Sequence, residues 1–528
     1  MHQRLAPNWQ LAIGNWQCHA LSVSTGREYD YDLVIIGGGS GGYAAARTAA
    51  GAGLKTVVVE GGEEVGGLCI LRGCMPTKAL LYAAEVMHLA SHAEPWGIRA
   101  EEVSFNFAKV MARKNALIKE FATDRQRQLL GGKFEFRRAN ARFRDTHTVD
   151  LAPALGAPAS LPTSPAETGR AGRDAGAPGG QHTLTAEHFL LATGSTIAPS
   201  PLPQLDEVGC LNSDTALKLE KLPRSLIVLG GGLVAVEFAQ FFARFGVKVT
   251  LIQRSAHVLH HLDADATSEL EKVFRREGIV LYTGTKLLDA RRAGPHKEVA
   301  FEHNGQAVRA RAEEIFFGLG RVPNTASLGL EAIGVQMEDG RIVTNARMET
   351  SVPHVYAAGD CTGPYEIVHL AVQQGEIAAH NIAHPEHPRE MDYRLLAEVI
   401  FTEPQIAVVG LTEKEAKARN IRYLAASYPF SDHGKSLIME VRDGFVKLLA
   451  DPESGEILGG CCVGPLGGEL IHEILVAMQK RMTVQELAVT PHYHPTLAEI
   501  WTYPAEEVAG KVRPPTPAKP ASRMAQSS

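Results

Sequence analysis

Two cysteines with a spacing suited to redox chemistry lie in the segment GGLCILRGCMPTK, residues 66–78. Cys69 and Cys74 are separated by four residues, and Lys78 follows four residues later. Such a pair could be a structural disulfide, half of a metal site or a redox pair that cycles between disulfide and dithiol. Zinc would require two further ligands at matching spacing, and we find none, so no metal site is predicted.

Length, charge and cysteine content restrict the class of protein. The 528 residues predict two to four domains. A net charge of -6 favours neither nucleic acid nor an anionic membrane as partner, and no apolar run has membrane-spanning length. Seven cysteines do not make a disulfide scaffold, which predicts a reducing, cytoplasmic compartment. Residues 1–29 lack an apolar signal core and are interpreted as an extension.

The elements that must position the cysteines belong to a unit that occurs twice. In the first copy, residues 31–60, an apolar strand runs into a glycine turn and an Ala-rich helix, and a second strand ends in an acid. Glycines permit a tight turn and the close approach of a pyrophosphate to the helix N-terminus, and the acid can accept hydrogen bonds from a ribose. The predicted cofactor-binding residues of this copy are Gly37, Gly39, Gly42 and Glu60.

The second copy, residues 225–254, has the same order and the same spacing. The distance from Gly37 to Glu60 is 23 residues, and so is the distance from Gly230 to Gln253. One such motif could be a Gly-rich turn of an ordinary α/β domain, but two in register predict two bound dinucleotides. The predicted cofactor-binding residues of this copy are Gly230, Gly232, Ala235, Gln253 and Arg254.

The two copies differ where a ribose would lie. Glu60 suits an unphosphorylated ribose, as in FAD, whereas the second copy has the neutral Gln253 followed by Arg254. An arginine would attract a 2′-phosphate that an acid would repel, so the second site favours NADPH over NADH. The alternative is that Arg254 is a solvated charge at a strand end.

Small residues follow three further apolar stretches, as in the turns of nucleotide-binding domains. They are Thr193 and Gly194 in LATGS, Gly320 in FGLGRVPN and Gly359 in VYAAGDC, where the acid that follows, Asp360, could bond a ribityl hydroxyl. Each could also be an ordinary strand-to-loop turn. Between two β-rich stretches, residues 152–181 are so rich in Ala, Pro and Gly that we predict a disordered surface insertion.

The order of these motifs resembles the flavin-dependent pyridine nucleotide–disulfide oxidoreductases, from about Tyr31 to Ala509. The resemblance implies an α/β fold with two Rossmann-like domains, for FAD and for NAD(P), and a C-terminal α+β dimerisation domain in a homodimer. The predicted regions are an extension (1–29), the FAD-binding domain (30–200), the NAD(P)-binding domain (201–318), the second part of the FAD-binding domain (319–388), the dimerisation domain (389–510) and a disordered tail (511–528).

The resemblance also implies roles for individual residues. Cys69 would exchange with a dithiol or disulfide substrate, and Cys74 would be the thiol against the flavin. The spacing suits a small strained ring at a helix start, where the helix dipole favours a thiolate. Lys78 and Glu237 match the family's ion pair beside the flavin. The predicted acid–base dyad, which would reach across the dimer interface, is His494 and Glu499, with His494-Pro495 as a cis peptide.

Within the family, the segment HPTLAE is most similar to dihydrolipoamide dehydrogenase, while VTLIQRS is similar to mercuric reductase. Leu233 replaces the tyrosine lid usual in glutathione reductase, and the C-terminal cysteine pair usual in mercuric reductase is missing. Cys461 and Cys462 lie in an apolar strand and are interpreted as core residues. A small-molecule or lipoyl-linked dithiol is therefore the predicted substrate.

Several alternatives stay open at this point. One is an NADPH-dependent reductase of the mercuric or glutathione type. A second is a transhydrogenase or NAD(P)H oxidase, which would not need the cysteine pair. A third is a subunit docked in a larger dehydrogenase complex, and a fourth is a non-catalytic flavoprotein.

Overall fold

A computed structural model describes residues 28–100, 102–154 and 182–513. Most of the predicted N-terminal extension, the predicted insertion from residue 155 to 181 and the predicted tail from residue 514 therefore lie outside the described residues.

The strands lie in three main sheets, with a further meander and two short pairs. In chain order they are β1 Tyr31–Ile36, β2 Thr56–Glu60, β3 Glu135–Asp145, β4 Thr148–Pro153, β5 Thr183–Leu191, β6 Ser195–Ile197, β7 Ser225–Leu229, β8 Lys248–Ile252, β9 Val280–Tyr282, β10 Thr285–Ala293, β11 His296–His303, β12 Gln306–Ala312, β13 Glu314–Phe317, β14 Arg321–Pro323, β15 Met337–Glu338, β16 Arg341–Ile342, β17 Val355–Ala357, β18 Ala397–Ile400, β19 Gln405–Gly410, β20 Leu424–Pro429, β21 Phe445–Ala450 and β22 Ile457–Gly464.

The helices connect and cover these sheets. They are α1 Ser40–Gly51, α2 Gly67–Leu71, α3 Cys74–Ser91, α4 Phe107–Leu130, α5 Pro203–Val208, α6 Ser213–Ala216, α7 Leu233–Arg244, α8 Ala264–Arg276, α9 Val368–Ala383, α10 Glu413–Ala418, α11 Gly434–Ile438, α12 Gly467–Gln479, α13 Val484–Ala488 and α14 Thr502–Ala509. None of the helices in the described part of the chain combines the length and the apolarity needed to cross a membrane.

The first sheet contains the predicted first nucleotide unit. Its parallel strands lie in the order β3-β2-β1-β5-β17, and β17 joins after a long excursion of the chain through the second unit. Strand β4 pairs antiparallel with the C-terminal part of β3 and with the first three residues of β5. Because β1 and β2 are buried on both faces, they are almost entirely apolar, as parallel central strands are.

The second sheet contains the repeated unit, with parallel strands in the order β13-β7-β8-β9. Helix α7 follows β7 as α1 follows β1, and its long phenylalanine-rich face packs against α3 of the first unit in one shared core. That packing places a helix of the second unit beside the helix that begins at Cys74.

The third sheet is antiparallel, in the order β18-β19-β22-β21-β20, and α12 and α14 cover it. Cys461 and Cys462 lie in β22 with 5% and 0% exposure, so their interpretation as core residues is confirmed. The α/β fold with two Rossmann-like units and a C-terminal α+β domain is confirmed.

The structure contradicts the predicted disorder at the first residues of the segment 152–181. Ala152 and Pro153 belong to β4, where they pair with Asn140 and Ala139, and the side chain of Ala154 is buried. Strand pairing therefore extends the ordered chain through residues whose composition alone suggested a loop. Leu151 donates its backbone N–H to the carbonyl of His182 at 2.7 Å, so β4 lies beside the chain that leads into β5.

Candidate active site

The two cysteines lie at the junction of two helices. Cys69 is in the short helix α2, and Cys74 is the first residue of the 18-residue helix α3, with Gly73 between the two helices. Both are half-buried thiols in this structure. The N-terminus of a long helix carries a partial positive charge, so the position of Cys74 favours a thiolate.

The surroundings of the pair separate the two thiols by acidity. The hydrogen bond from Cys69 and the positive charge of Lys78 lower the pKa of Cys74 to about 7, although burial opposes them. The same hydrogen bond, together with burial, raises the pKa of Cys69 well above its ordinary value. A reduced pair would therefore hold its negative charge on Cys74 and its proton on Cys69.

Lys78 forms an ion pair with Glu237 that connects the two nucleotide units. The Lys78 Nζ lies 2.9 Å from both carboxylate oxygens, and the Glu237 side chain is only 1% exposed. The backbone N–H of Phe401 donates to the same carboxylate at 3.0 Å, and its ring lies 4.6 Å from Nζ. A buried carboxylate needs such partners, because an unpaired charge in the interior is costly.

A continuous crevice runs from the first glycine turn to the cysteines. One cavity of about 350 Å³ is lined by Glu60 and Thr193. A second, of about 610 Å³, is lined by Cys69, Cys74, Lys78, Glu237 and Asp360. The two share Gly39, Gly194 and Arg321 among their lining residues, so one extended ligand could occupy both.

The first glycine turn fits a dinucleotide on steric grounds. A methyl group at Gly37 would lie 2.2 Å from the carbonyl oxygen of Ala192, and one at Gly42 would lie 1.9 Å from the carbonyl oxygen of Gly37. At Gly39 the nearest atom would be 3.8 Å away, on the side where Gly39 lines both cavities. The turn therefore has no room for a side chain at Gly37 and Gly42, where the backbone packs on itself, and is open at Gly39, where it faces the cavities. Close approach of a pyrophosphate requires this arrangement.

Polar groups lie along the crevice where an FAD molecule would need them. Glu60 accepts hydrogen bonds from the backbone N–H groups of Gly38 and Gly62, at 2.8 and 2.6 Å. Asp360 accepts from the hydroxyl of Ser195 at 2.7 Å, directly beside Thr193 and Gly194. The residues present therefore fit FAD.

The second glycine turn has the same backbone geometry as the first. A methyl group at Gly230 would lie 2.2 Å from the carbonyl oxygen of Gly318, whereas one at Gly232 would meet nothing within 4 Å. Ala235 takes the place of the third glycine and is fully buried on α7. This turn can also admit a pyrophosphate in front of the helix.

Gln253 and Arg254 differ in burial: the side chain of Gln253 is buried and that of Arg254 is exposed. The Gln253 side chain is 8% exposed and contacts the carbonyl of His257 and the backbone N–H of Arg254, at 3.4 and 3.0 Å. Arg254 is exposed at the end of β8. Gly320 does not line either cavity; its carbonyl accepts a hydrogen bond from Ala198, and its neighbour Arg321 lines both cavities instead.

The predicted dyad forms in the C-terminal domain. Nδ1 of His494 lies 3.0 Å from a Glu499 oxygen, and His494-Pro495 is a cis peptide, as expected. The His494 side chain is 78% exposed, and neither dyad residue lines the cavity of the cysteine pair. Within one chain, the structure does not bring the dyad to the cysteines.

Sequence reasoning missed Ser195 and Arg321. Ser195 donates to Asp360 and accepts from Nε of Arg321 at 2.8 Å, so the three form one polar chain along the crevice. Both missed residues directly follow a predicted glycine, Gly194 and Gly320, and that adjacency was the available signal.

Family models match most of the chain. A model described as pyridine nucleotide-disulphide oxidoreductase matches residues 31–375. A second, described as the dimerisation domain of the same family, matches residues 396–505.

Individual relatives cover the same span. A dihydrolipoyl dehydrogenase of Bacillus subtilis is 36% identical over 473 residues, which are 89% of this chain and 96% of the relative. One from Thermus scotoductus is also 36% identical, covering 89% and 95%. The crystal structure of LpdA from Mycobacterium tuberculosis is 29% identical with a TM-score of 0.77, covering 90% of this chain and 99% of that one. The flavoprotein disulfide reductase RclA from Escherichia coli, at 23% identity and a TM-score of 0.76, covers the same shares and shows a likeness of fold.

Proposed function

This chain belongs to the pyridine nucleotide–disulphide oxidoreductase family, and from that premise we propose that Cys69 and Cys74 are its redox disulfide and a lipoyl-type dithiol its substrate. The enzyme class, an FAD- and NAD(P)-dependent oxidoreductase acting on sulfur groups in a homodimer, follows from the family. The observation that supports the residue assignment best is geometric: Cys74 begins helix α3 and lines the same cavity as Cys69 and the Lys78–Glu237 ion pair.

The proposed exchange begins at the dyad. Glu499 holds Nδ1 of His494, so the other ring nitrogen is available to take a proton from a substrate thiol. The resulting thiolate attacks the sulfur of Cys69, the Cys69–Cys74 bond breaks, and Cys74 leaves as a thiolate. The second substrate thiol then attacks the mixed disulfide, and its proton goes to Cys69, which leaves as a thiol. Two electrons have reached the pair, and the substrate has become a disulfide.

Each residue of the site has a distinct task in this scheme. Lys78 stabilises the thiolate on Cys74, while Glu237 holds Lys78 in place from the second unit. FAD, when bound, supplies the two-electron exchange with the nicotinamide. Its proposed holders are Gly37, Gly39 and Gly42 with Glu60 at one end and Thr193, Gly194 and Asp360 at the other.

Two further features complete the proposal. Because His494 is exposed and does not line the crevice of its own chain, we propose that it serves the cysteine pair across the dimer interface. Because Arg254 is exposed where the ribose of a second nucleotide would lie, we propose NADPH as the preferred nicotinamide nucleotide. With NADPH abundant the same steps run in reverse, as reduction of a disulfide. A pair that cycles through a dithiol fits a reducing compartment, and we place the enzyme in the cytoplasm.

The test is an anaerobic titration of the purified holoenzyme with dihydrolipoamide, followed in the visible spectrum. We expect two electrons to produce a long-wavelength band from a thiolate beside the flavin, and Cys74→Ser to abolish it. Cys210→Ser is the matched control, since Cys210 is half-buried in the second unit and does not line the crevice. If the flavin is reduced without such a band, the Cys69–Cys74 pair is not coupled to it and the proposal is wrong.

A further inference from the structure

A second histidine lies buried next to the dyad. His433 has no exposed surface and precedes helix α11 in the C-terminal domain. Its Nε2 lies 3.3 Å from Oε1 of Glu499, and its Nδ1 lies 2.8 Å from the hydroxyl of Ser436. No motif of the sequence points to this residue, which is 66 positions away from Glu499.

The Glu499 carboxylate is therefore placed between two imidazoles. On the outside, Nδ1 of the exposed His494 lies 3.0 Å from Oε2 and 3.2 Å from Oε1; on the inside, Nε2 of His433 lies 3.3 Å from Oε1. Glu499 itself is 12% exposed. Both contacts with His494 come from one exposed imidazole, whereas the contact with His433 comes from the interior, and contacts on both sides restrain rotation of the carboxylate about its last torsion.

The neighbours of His433 determine which of its nitrogens carries the proton. Burial holds the pKa of His433 below its usual value, although the negative charge of Glu499 opposes this. The other groups that face it are His494, the Ser436 hydroxyl and the ring of Tyr503, whose centroid is 6.3 Å away. A neutral imidazole has one N–H, and Nε2 faces a carboxylate that only accepts; the Ser436 hydroxyl can donate to Nδ1. Nε2 is buried and has no hydrogen-bond partner in this structure, and the nearest group that can accept its proton is the Glu499 carboxylate at 3.3 Å, so the charge of Glu499 favours the form in which Nε2 carries the proton.

We propose that His433 is a positioning residue of the acid–base dyad: its Nε2–H is directed to Oε1 of Glu499 at 3.3 Å and holds the carboxylate from the interior, while both Glu499 oxygens contact Nδ1 of His494 from the exterior. This inference rests on the proposed function of that dyad. A carboxylate that already accepts a hydrogen bond is a weaker acceptor for its second partner. His433 would thus keep the Glu499–His494 contact oriented without holding the proton on His494 too tightly for exchange with a thiol.

The test compares two amides of similar polarity at position 433. The side-chain nitrogen of glutamine reaches about the place of Nε2, while that of asparagine reaches only the place of Nδ1. His433→Asn therefore removes the donor to Glu499, and His433→Gln restores it. The readout is the rate at which excess dihydrolipoamide reduces the disulfide of the oxidised holoenzyme, measured by stopped flow across the pH range of its acidic limb.

We expect His433→Asn to move the acidic limb to higher pH by about 0.5–1 unit, which lowers the rate about 3- to 10-fold on that limb. His433→Gln should bring the limb back towards the wild-type position. Reduction of the flavin by the nicotinamide nucleotide, which does not need the dyad, should be unaffected in both variants.

Two results would overturn the inference: coincident pH profiles for wild type and His433→Asn, or an equal shift in His433→Gln, which would mean that packing rather than the donor matters. If His433→Asn fails to bind FAD, Ser436→Ala decides, because it removes the group that sets the tautomer and should shift the limb in the same direction by less. Failure of the proposed function is distinguishable, because His494→Gln would then leave the reduction of the enzyme by dihydrolipoamide intact.

Discussion

The two nucleotide-binding units have the same backbone geometry at the glycine turn and differ in their side chains. In each, the N–H of the first glycine donates to a carbonyl near the end of the neighbouring strand: Gly37 to Val59 of β2 at 2.8 Å, and Gly230 to Ile252 of β8 at 2.9 Å. In each, a methyl group at that glycine would lie 2.2 Å from a carbonyl oxygen. Turn geometry is thus a property of the strand–turn–helix motif, and no side chain is needed to produce it.

The differences lie at three positions that face ligands or neighbours. The strand ends in an acid bound to the turn in the first unit, and in a buried amide followed by an exposed arginine in the second. The third glycine is Gly42 in one and Ala235 in the other. Two residues further along the helix, the buried Ala44 of the first unit corresponds to the buried Glu237 of the second. Side chains, rather than the turn, therefore give each unit its own task.

The largest expected effect comes from exchanging the third residue of the turn. Gly42→Ala would place a methyl group 1.9 Å from the carbonyl oxygen of Gly37, so we expect destabilisation by about 3 kcal/mol and loss of bound flavin. Ala235→Gly removes a methyl group from a site that already accommodates one, and should cost about 1–2 kcal/mol with flavin retained. Flavin content and urea unfolding of both variants check this. Full flavin content in Gly42→Ala would contradict the steric account.

Substitution of the second glycine of the turn should weaken nucleotide binding without changing the stability of the fold. A methyl group at Gly232 meets nothing within 4 Å, so Gly232→Ala should leave the free energy of unfolding within about 1 kcal/mol of wild type. It would occupy the space in front of the helix, and kcat/KM for the nicotinamide nucleotide should fall about 100-fold. Gly39→Ala is the counterpart and should impair flavin binding instead. Equal damage to both cofactors by either variant would break the division between the units.

A smaller effect is expected at the strand end of the second unit. Arg254→Gln should lower kcat/KM for NADPH about 10-fold or more and change that for NADH less than about 2-fold, because only the 2′-phosphate needs the charge. Arg254→Lys keeps the charge, so its kcat/KM for NADPH should lie between the values of the wild type and of Arg254→Gln. Steady-state assays with both nucleotides measure the ratio. An equal loss with NADPH and NADH would show that Arg254 does not read the ribose.

The smallest effect concerns the residue that replaces Ala44 in the second unit. Besides the hydrogen bond from Cys69, the charge of Lys78 lowers the pKa of Cys74, and the charge of Glu237 raises it. Glu237→Gln should therefore extend the thiolate form of the reduced enzyme to lower pH, by roughly half a unit. The long-wavelength absorbance of the two-electron-reduced enzyme, titrated with acid, reports this midpoint. Lys78→Met should move it in the opposite direction, and a shift of the same sign in both variants would refute the electrostatic explanation.

Much of the fold and part of the site could be predicted because the determinants are local in sequence. The strands β1 and β7, the glycine turns and the helices after them follow from apolar runs and small residues within 30 positions. The position of Cys74 at the start of a helix could likewise be predicted from neighbouring residues. The end of β4 was misjudged because Ala152 and Pro153 have a loop-like composition, and only pairing with β3 orders them.

The sequence by itself determined the two nucleotide units, their spacing and the cysteine pair, since steric constraints on neighbouring residues decide such motifs. Only the tertiary structure decided which distant side chains meet. Lys78 and Glu237, 159 residues apart, are joined by the packing of α3 on α7, and resemblance to a family, not their residue types, suggested the pair. The contact between His433 and Glu499 had no sequence signal at all. Such contacts depend on how whole elements pack, and no short stretch of sequence contains that information.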